Sequence, residues 1–132
     1  LVDAKHWLVV GAVLGGLGVA LGAFGAHGLK QRVAEEQLAI FEVGVRYQMY
    51  HALAILAVAL VAQRAVSGSN AWLTVAEWAF LVGTLLFSCS LYALTFNGPS
   101  WLHPIVPIGG TSFIVGWAAL AIGAWQVADP AR

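Results

Sequence analysis

Most of the side chains in this sequence that could do chemistry sit where its apolar stretches begin or end. His27 closes the first stretch; Glu42, Arg46, Tyr47 and His51 open the second; Tyr92 and Asn97 close the third, and His103 precedes the fourth. Antiparallel placement of the stretches would bring all of these to one end of a bundle. Imidazoles exchange protons near neutral pH, so His27 and His51 are one candidate acid–base pair. Nothing beside them supplies a nucleophile or an electrophile, and no catalytic residue is assigned. Three histidines would suit zinc or iron by ligand type. None of the three shares a helix turn with another, and no carboxylate–histidine doublet has metal-site spacing. No metal or other cofactor is therefore expected. Phosphate loops, nucleophile elbows and paired-cysteine motifs are absent from the sequence, and Cys89 is its single cysteine.

Glu42 and Arg46 form an i,i+4 pair, as do Tyr47 and His51 on an adjacent face. Two readings of the polar end stand side by side. One is a ligand or ion site near the membrane surface, since ionisable groups inside a membrane are functional hypotheses by default. The other is a structural clasp, preferred here because charges are cheap at headgroup level. If the Glu42–Arg46 pair is partly buried, losing one partner costs about 3–5 kcal/mol.

The elements that must hold these groups follow from composition. Of 132 residues, 61% are hydrophobic and 9% charged, against roughly 25% charged in soluble domains. So few charges cannot coat a water-facing globule, whereas a lipid-facing surface needs no coat. Six basic and six acidic residues balance to zero, which leaves no footprint for nucleic acid. Crossing the hydrocarbon layer takes about 20 mostly apolar residues as helix, and four runs qualify: about 7–26, 38–63, 71–96 and 105–127. The first exceeds the ~7–15-residue core of a secretory signal, so it is expected to be retained as a membrane helix.

The fold class is therefore all-α, an integral membrane bundle of four transmembrane helices spanning 1–132 as one domain. Residues 27–37 carry Gly28, Lys30, Arg32, Glu35 and Glu36 and are expected to include a short amphipathic interfacial segment. Ser67-Gly68-Ser69-Asn70 and Asn97-Gly98-Pro99-Ser100 read as polar turns. Pro104 suits the first turn of the last helix, and Pro107 lies slightly inside it. With four spans, Lys5, Arg64 and Arg132 share one side, against Lys30, Arg32 and Arg46 on the other, so charge asymmetry does not orient the chain.

Helices in lipid associate through small residues that let backbones approach. Gly11, Gly15, Gly18, Gly22 and Gly25 recur at spacings of 4, 3, 4 and 3 on one stripe of the first helix. Gly109, Ser112, Gly116, Ala119 and Gly123 repeat the device in the fourth. Both stripes are expected to pack against neighbours, within the subunit or across a dimer. On the third helix Glu77, Thr84, Ser88, Tyr92 and Thr95 share a face, with hydroxyls expected to bond carbonyls or a neighbouring helix. Glu77 is expected to pair with Arg64 or to sit solvated at the interface.

The run Leu21-Gly-Ala-Phe-Gly-Ala-His-Gly-Leu29 resembles the signature of the YgdD-like membrane proteins, also called domain of unknown function 423 and similar to eukaryotic transmembrane protein 256. Three further stretches carry the likeness: Phe41-Glu-Val-Gly-Val-Arg-Tyr-Gln-Met-Tyr-His-Ala52, Leu86-Phe-Ser-Cys-Ser-Leu-Tyr92, and Pro104-Ile-Val-Pro-Ile-Gly-Gly-Thr-Ser-Phe113. The resemblance implies a bacterial inner-membrane protein with four spans and cytoplasmic ends, and implies no activity, substrate or cofactor. It highlights Gly22, Gly25, His27, Tyr47, Gln48, His51, Ser88, Tyr92, Pro107 and Gly109, which adds Gln48 to the candidate site. His103 falls outside it.

The leading expectation is a non-enzymatic structural, accessory or lipid-binding module. Its expected partners are membrane lipid and a second copy of the chain or another membrane protein. The rival is an oligomeric small-solute transporter or channel, for which only the third helix offers a polar face; a membrane enzyme comes third.

Overall fold

Backbone amides in hydrocarbon have no water to bond, so a chain there satisfies them within its own helices. The computed structural model describes residues 3–65 and 70–129. It has four long helices: α1 (Ala4–His27), α2 (Glu35–Ala62), α3 (Ala71–Thr95) and α4 (Ile105–Ala128). Each is long and apolar enough to cross a bilayer, and no strand occurs among the described residues. The expected amphipathic segment is shorter than anticipated, a single 3-10 turn at Leu29–Gln31 with Leu29 buried.

Local chemistry sets where each helix ends. Gln37 Oε1 accepts from the Ala34 N–H at the start of α2, while its Nε2 donates to the Thr95 carbonyl at the end of α3. Glu35 and Glu36 occupy the first turn of α2, where the helix dipole favours negative charge. Asn70 caps α3, its side-chain oxygen accepting from the Trp72 and Leu73 amides, and its Nδ2 donates to Gln126 near the end of α4. Of the predicted turn at 67–70 only Asn70 lies within the described residues; 67–69 and Arg132 lie outside them. α3 stops in a Schellman motif, with the Gly98 amide on Ala93 O and the Asn97 amide on Leu94 O. That motif needs a left-handed residue, and Asn97 supplies it at φ 58°. Pro107 stands in the first turn of α4, where a missing N–H costs no helical bond.

The glycine stripes pack inside the subunit, and in each one three positions seven residues apart make the close contacts. A Cβ at Gly11, Gly18 or Gly25 would run into Leu56, Met49 or Phe41 of α2, whereas Gly15 and Gly22 have room. On α4 a Cβ at Gly109 would come within 2.6 Å of the Phe87 amide nitrogen, and at Gly116 and Gly123 it would meet Phe80 and Leu73. Seven-residue spacing is that of helices crossing at a shallow angle. The result is a chain of neighbours. α1 packs on α2, α2 on α3 and α3 on α4, while α2 and α4 touch lightly. Trp7, Ile55, Val58, Phe80 and Phe113 fill the interior, and Val9, Leu17, Ile114 and Trp125 are among the many large apolar groups turned outward.

Candidate functional site

His51 is the seventeenth of the 28 residues of α2, which puts it near mid-depth rather than at the polar end where the sequence suggested it would lie. Its ring is 3% exposed. It stacks parallel on Phe113 of α4, centroids 3.5 Å apart and planes within 5°, with Phe80 of α3 at 5.4 Å. Nδ1 is 2.7 Å from the Tyr47 carbonyl oxygen, and the indole Nε1–H of Trp117 points at Nε2 from 3.1 Å. A carbonyl only accepts and an indole N–H only donates. The imidazole is therefore neutral, with its proton on Nδ1 donated to Tyr47 and its Nε2 lone pair accepting from Trp117. Both nitrogens are spent, Nδ1 within α2 and Nε2 on the bond that holds α2 to α4.

One turn outward lies a second buried network. Gln48 Nε2 donates to Leu14 O of α1 at 2.8 Å, and its Oε1 accepts from the Tyr92 hydroxyl of α3 at 2.7 Å. Ser88 donates across to Gly44 O at 2.7 Å, where the absent side chain leaves space that Tyr92 fills. One glutamine thus joins three helices, leaving none of these groups free for a ligand. The other α3 hydroxyls behave as expected, Thr84 donating to Phe80 O and Thr95 to Leu91 O, and Ser112 of the α4 stripe donates to Ala79 O of α3.

The other predicted site residues do not converge with these. His27 is exposed at the end of α1, and His103 is exposed with Nδ1 on Ser100 O. Glu42 and Arg46 are exposed on α2, and no ion pair within 4 Å joins them. The expected Glu77–Arg64 pair is also unformed, since Glu77 faces inward at 4% exposure and Arg64 outward. Among the described residues no three His, Cys, Asp or Glu side chains gather closely enough to hold a metal.

The structure adds a feature the sequence did not disclose. Because α2 and α4 barely touch, a groove of about 760 Å³ opens between them. Its walls are Tyr47, Tyr50 and Leu53 on one side, Phe113, Ile114 and Trp117 on the other, with His51 and Phe87 at the base. A second recess of about 540 Å³, lined by Ile40, Asn97, His103 and Val106, shares Pro107 with it and carries it towards the polar end. Tyr50, Phe113, Ile114 and Trp117 escaped notice because apolar residues in an apolar helix give no local signal; only the indole N–H of Trp117, a polar handle needing a partner, hints at a role.

Sequence comparison decides the relationship. The family described as "Protein of unknown function (DUF423)" matches residues 21–110. The chain belongs to this DUF423 family. Similar DUF423-type relatives include the UPF0382 membrane protein YwdK of Bacillus subtilis, 41% identical over 120 residues, covering 91% of this chain and 96% of the relative. A UPF0382 membrane protein of Haemophilus influenzae is 45% identical over 122 residues, covering 92% and 95%. The UPF0382 inner membrane protein YgdD of Escherichia coli K12 is 39% identical over 122 residues, covering 92% and 90%. No solved structure matches. Four membrane-length helices and these relatives make the DUF423 chain a membrane protein. Of the positions that the resemblance picked out, Gln48, His51, Ser88 and Tyr92 make interhelical bonds, Gly25 and Gly109 close helix contacts, and Tyr47 and Pro107 line the groove.

Proposed function

We propose that this chain is a non-enzymatic module of the bacterial inner membrane that admits a lipid or other small amphiphile sideways from the bilayer between α2 and α4. The observation that carries the reading is the groove itself, about 760 Å³ and walled mainly by aromatic and aliphatic side chains. Its volume falls in the range of small-molecule sites. The recess beside Asn97 and His103 offers a polar end for a headgroup while the aromatic part takes a hydrocarbon chain. His51 acts as a fixed strut at the base, its nitrogens already bonded, and that favours binding over acid–base chemistry. The rival transporter reading draws on the polar face of α3, but Thr84, Ser88, Tyr92 and Thr95 spend their hydroxyls inside the bundle.

Native mass spectrometry of the purified protein tests this. Co-purifying lipid or a related amphiphile is expected on the wild type. Ile114→Trp, which fills the groove from a position 71% exposed, is expected to remove it while leaving helicity intact. Equal retention by the variant would overturn the reading. For topology, an even number of spans puts both termini on one side, and we place that side in the cytoplasm. A reporter fusion active only in the periplasm should stay silent at either end.

A further inference from the structure

Glu42 and Arg46 stand one turn apart on the outward face of α2, and neither is hydrogen-bonded or ion-paired with another described residue. Their depth makes this costly. Gln37 is level with Thr95, the last residue of α3, through their 2.9 Å bond. From there Glu42 and Arg46 lie about 8 and 14 Å further along α2 at 1.5 Å per residue. α3 is about 38 Å long on the same rise, so centring it in a ~30 Å hydrocarbon layer sinks both charges below the boundary, Arg46 by about 10 Å. Charges at such depth turn towards a bundle interior or an opposite charge. These two face out of the subunit.

The stripe continues below them. Arg46, Tyr50, Leu53, Ala57 and Leu60 are all exposed and recur at spacings of 4, 3, 4 and 3, the pattern by which two helices interdigitate at a shallow crossing angle. We propose that a second copy of the chain packs here, α2 against α2 about a two-fold axis along the membrane normal, so that Glu42 of each copy pairs with Arg46 of the other. In a two-fold interface residue i meets j and j meets i; with the axis along the membrane normal equivalent residues share a level, so each long Arg46 side chain reaches one turn, about 6 Å, along the axis to the Glu42 carboxylate of the other copy. An anionic lipid headgroup would satisfy Arg46 and be repelled by Glu42, which is why a protein surface is the better occupant. Tyr50 and Leu53 also wall the α2–α4 groove, so the partner would border that groove whether or not it holds an amphiphile.

Energy transfer between labelled copies in dilute proteoliposomes tests the pairing. Wild type is expected to transfer above the level of random co-localisation. Glu42→Arg alone and Arg46→Glu alone should each weaken self-association about tenfold or more. Mixing the two variants should restore it, because every pair across the interface is then opposite in sign while the residues within each chain still repel. A monomeric wild type overturns the proposal. So does rescue by the double exchange within one chain without rescue by mixing, since the pair would then be internal. If either variant fails to insert, cross-linking in a Cys89→Ser background decides: Leu53→Cys should cross-link in native membranes and the exposed α1 control Val9→Cys should not. Absent or equal cross-linking counts against the interface.

Discussion

At the scale of single residues, the bond from Trp117 to His51 shows how a titratable group can be structural. A buried acceptor is satisfied by a donor that has no other partner, and the ring is clamped on Phe113. Trp117→Phe keeps an aromatic ring and deletes the donor, leaving Nε2 unpaired. We expect a loss of about 1–3 kcal/mol, the usual cost of orphaning a buried polar group, read as a lower unfolding midpoint in detergent. An unchanged midpoint would mean that the bond contributes nothing. Nitrogen NMR should report the same arrangement as a protonated Nδ1 and an unprotonated Nε2 in the wild type. The sequence named His51, Gln48 and Tyr92 as notable but grouped His51 with the residues that open the second run, although a run of about 38–63 is itself centred near residue 50. α2 begins at Glu35 and runs about 42 Å at 1.5 Å per residue, which puts His51 near its middle.

Among the elements, the glycine stripes were legible because alignment on one helical face is visible in spacing alone. What spacing could not give was the partner. Whether a stripe packs within the subunit or across copies depends on which helix presents bulk to it, and here Phe41, Met49 and Leu56 serve α1 while Leu73, Phe80 and Phe87 serve α4. Nor could it say that in the α1 stripe only alternate glycines, Gly11, Gly18 and Gly25, are in close contact. Gly109 and Gly16 make the contrast testable. A methyl on Gly109 meets backbone at 2.6 Å, which the helices cannot accommodate without moving apart, and Gly109→Ala should cost about 1–3 kcal/mol by overpacking. Gly16 has nothing within 4 Å of the same position. Gly16→Ala should be neutral or stabilising by about 0.5–1 kcal/mol through backbone entropy. Equal thermal midpoints for the two variants would refute close packing at Gly109.

For the whole molecule, the four spans could be read from the length of apolar runs, since hydrocarbon thickness fixes how long a crossing helix must be. The groove could not, because it depends on α2 and α4 touching only lightly, around His51, Phe113 and Trp117. The outward-facing Cys89 gives a test of the lipid-covered surface. A membrane-impermeant maleimide should leave it unlabelled in intact proteoliposomes and modify it after denaturation in detergent; ready labelling before denaturation would place water against α3. The neighbour-to-neighbour layout also bears on biogenesis. Each span after the first has a substantial interface with the one synthesised just before it, so a segment leaving the ribosome finds a docking surface already in place. The groove then closes last, when α4 arrives and Trp117 reaches His51. A chain stalled before that step would already hold three docked spans and lack only the wall that completes the α2–α4 groove.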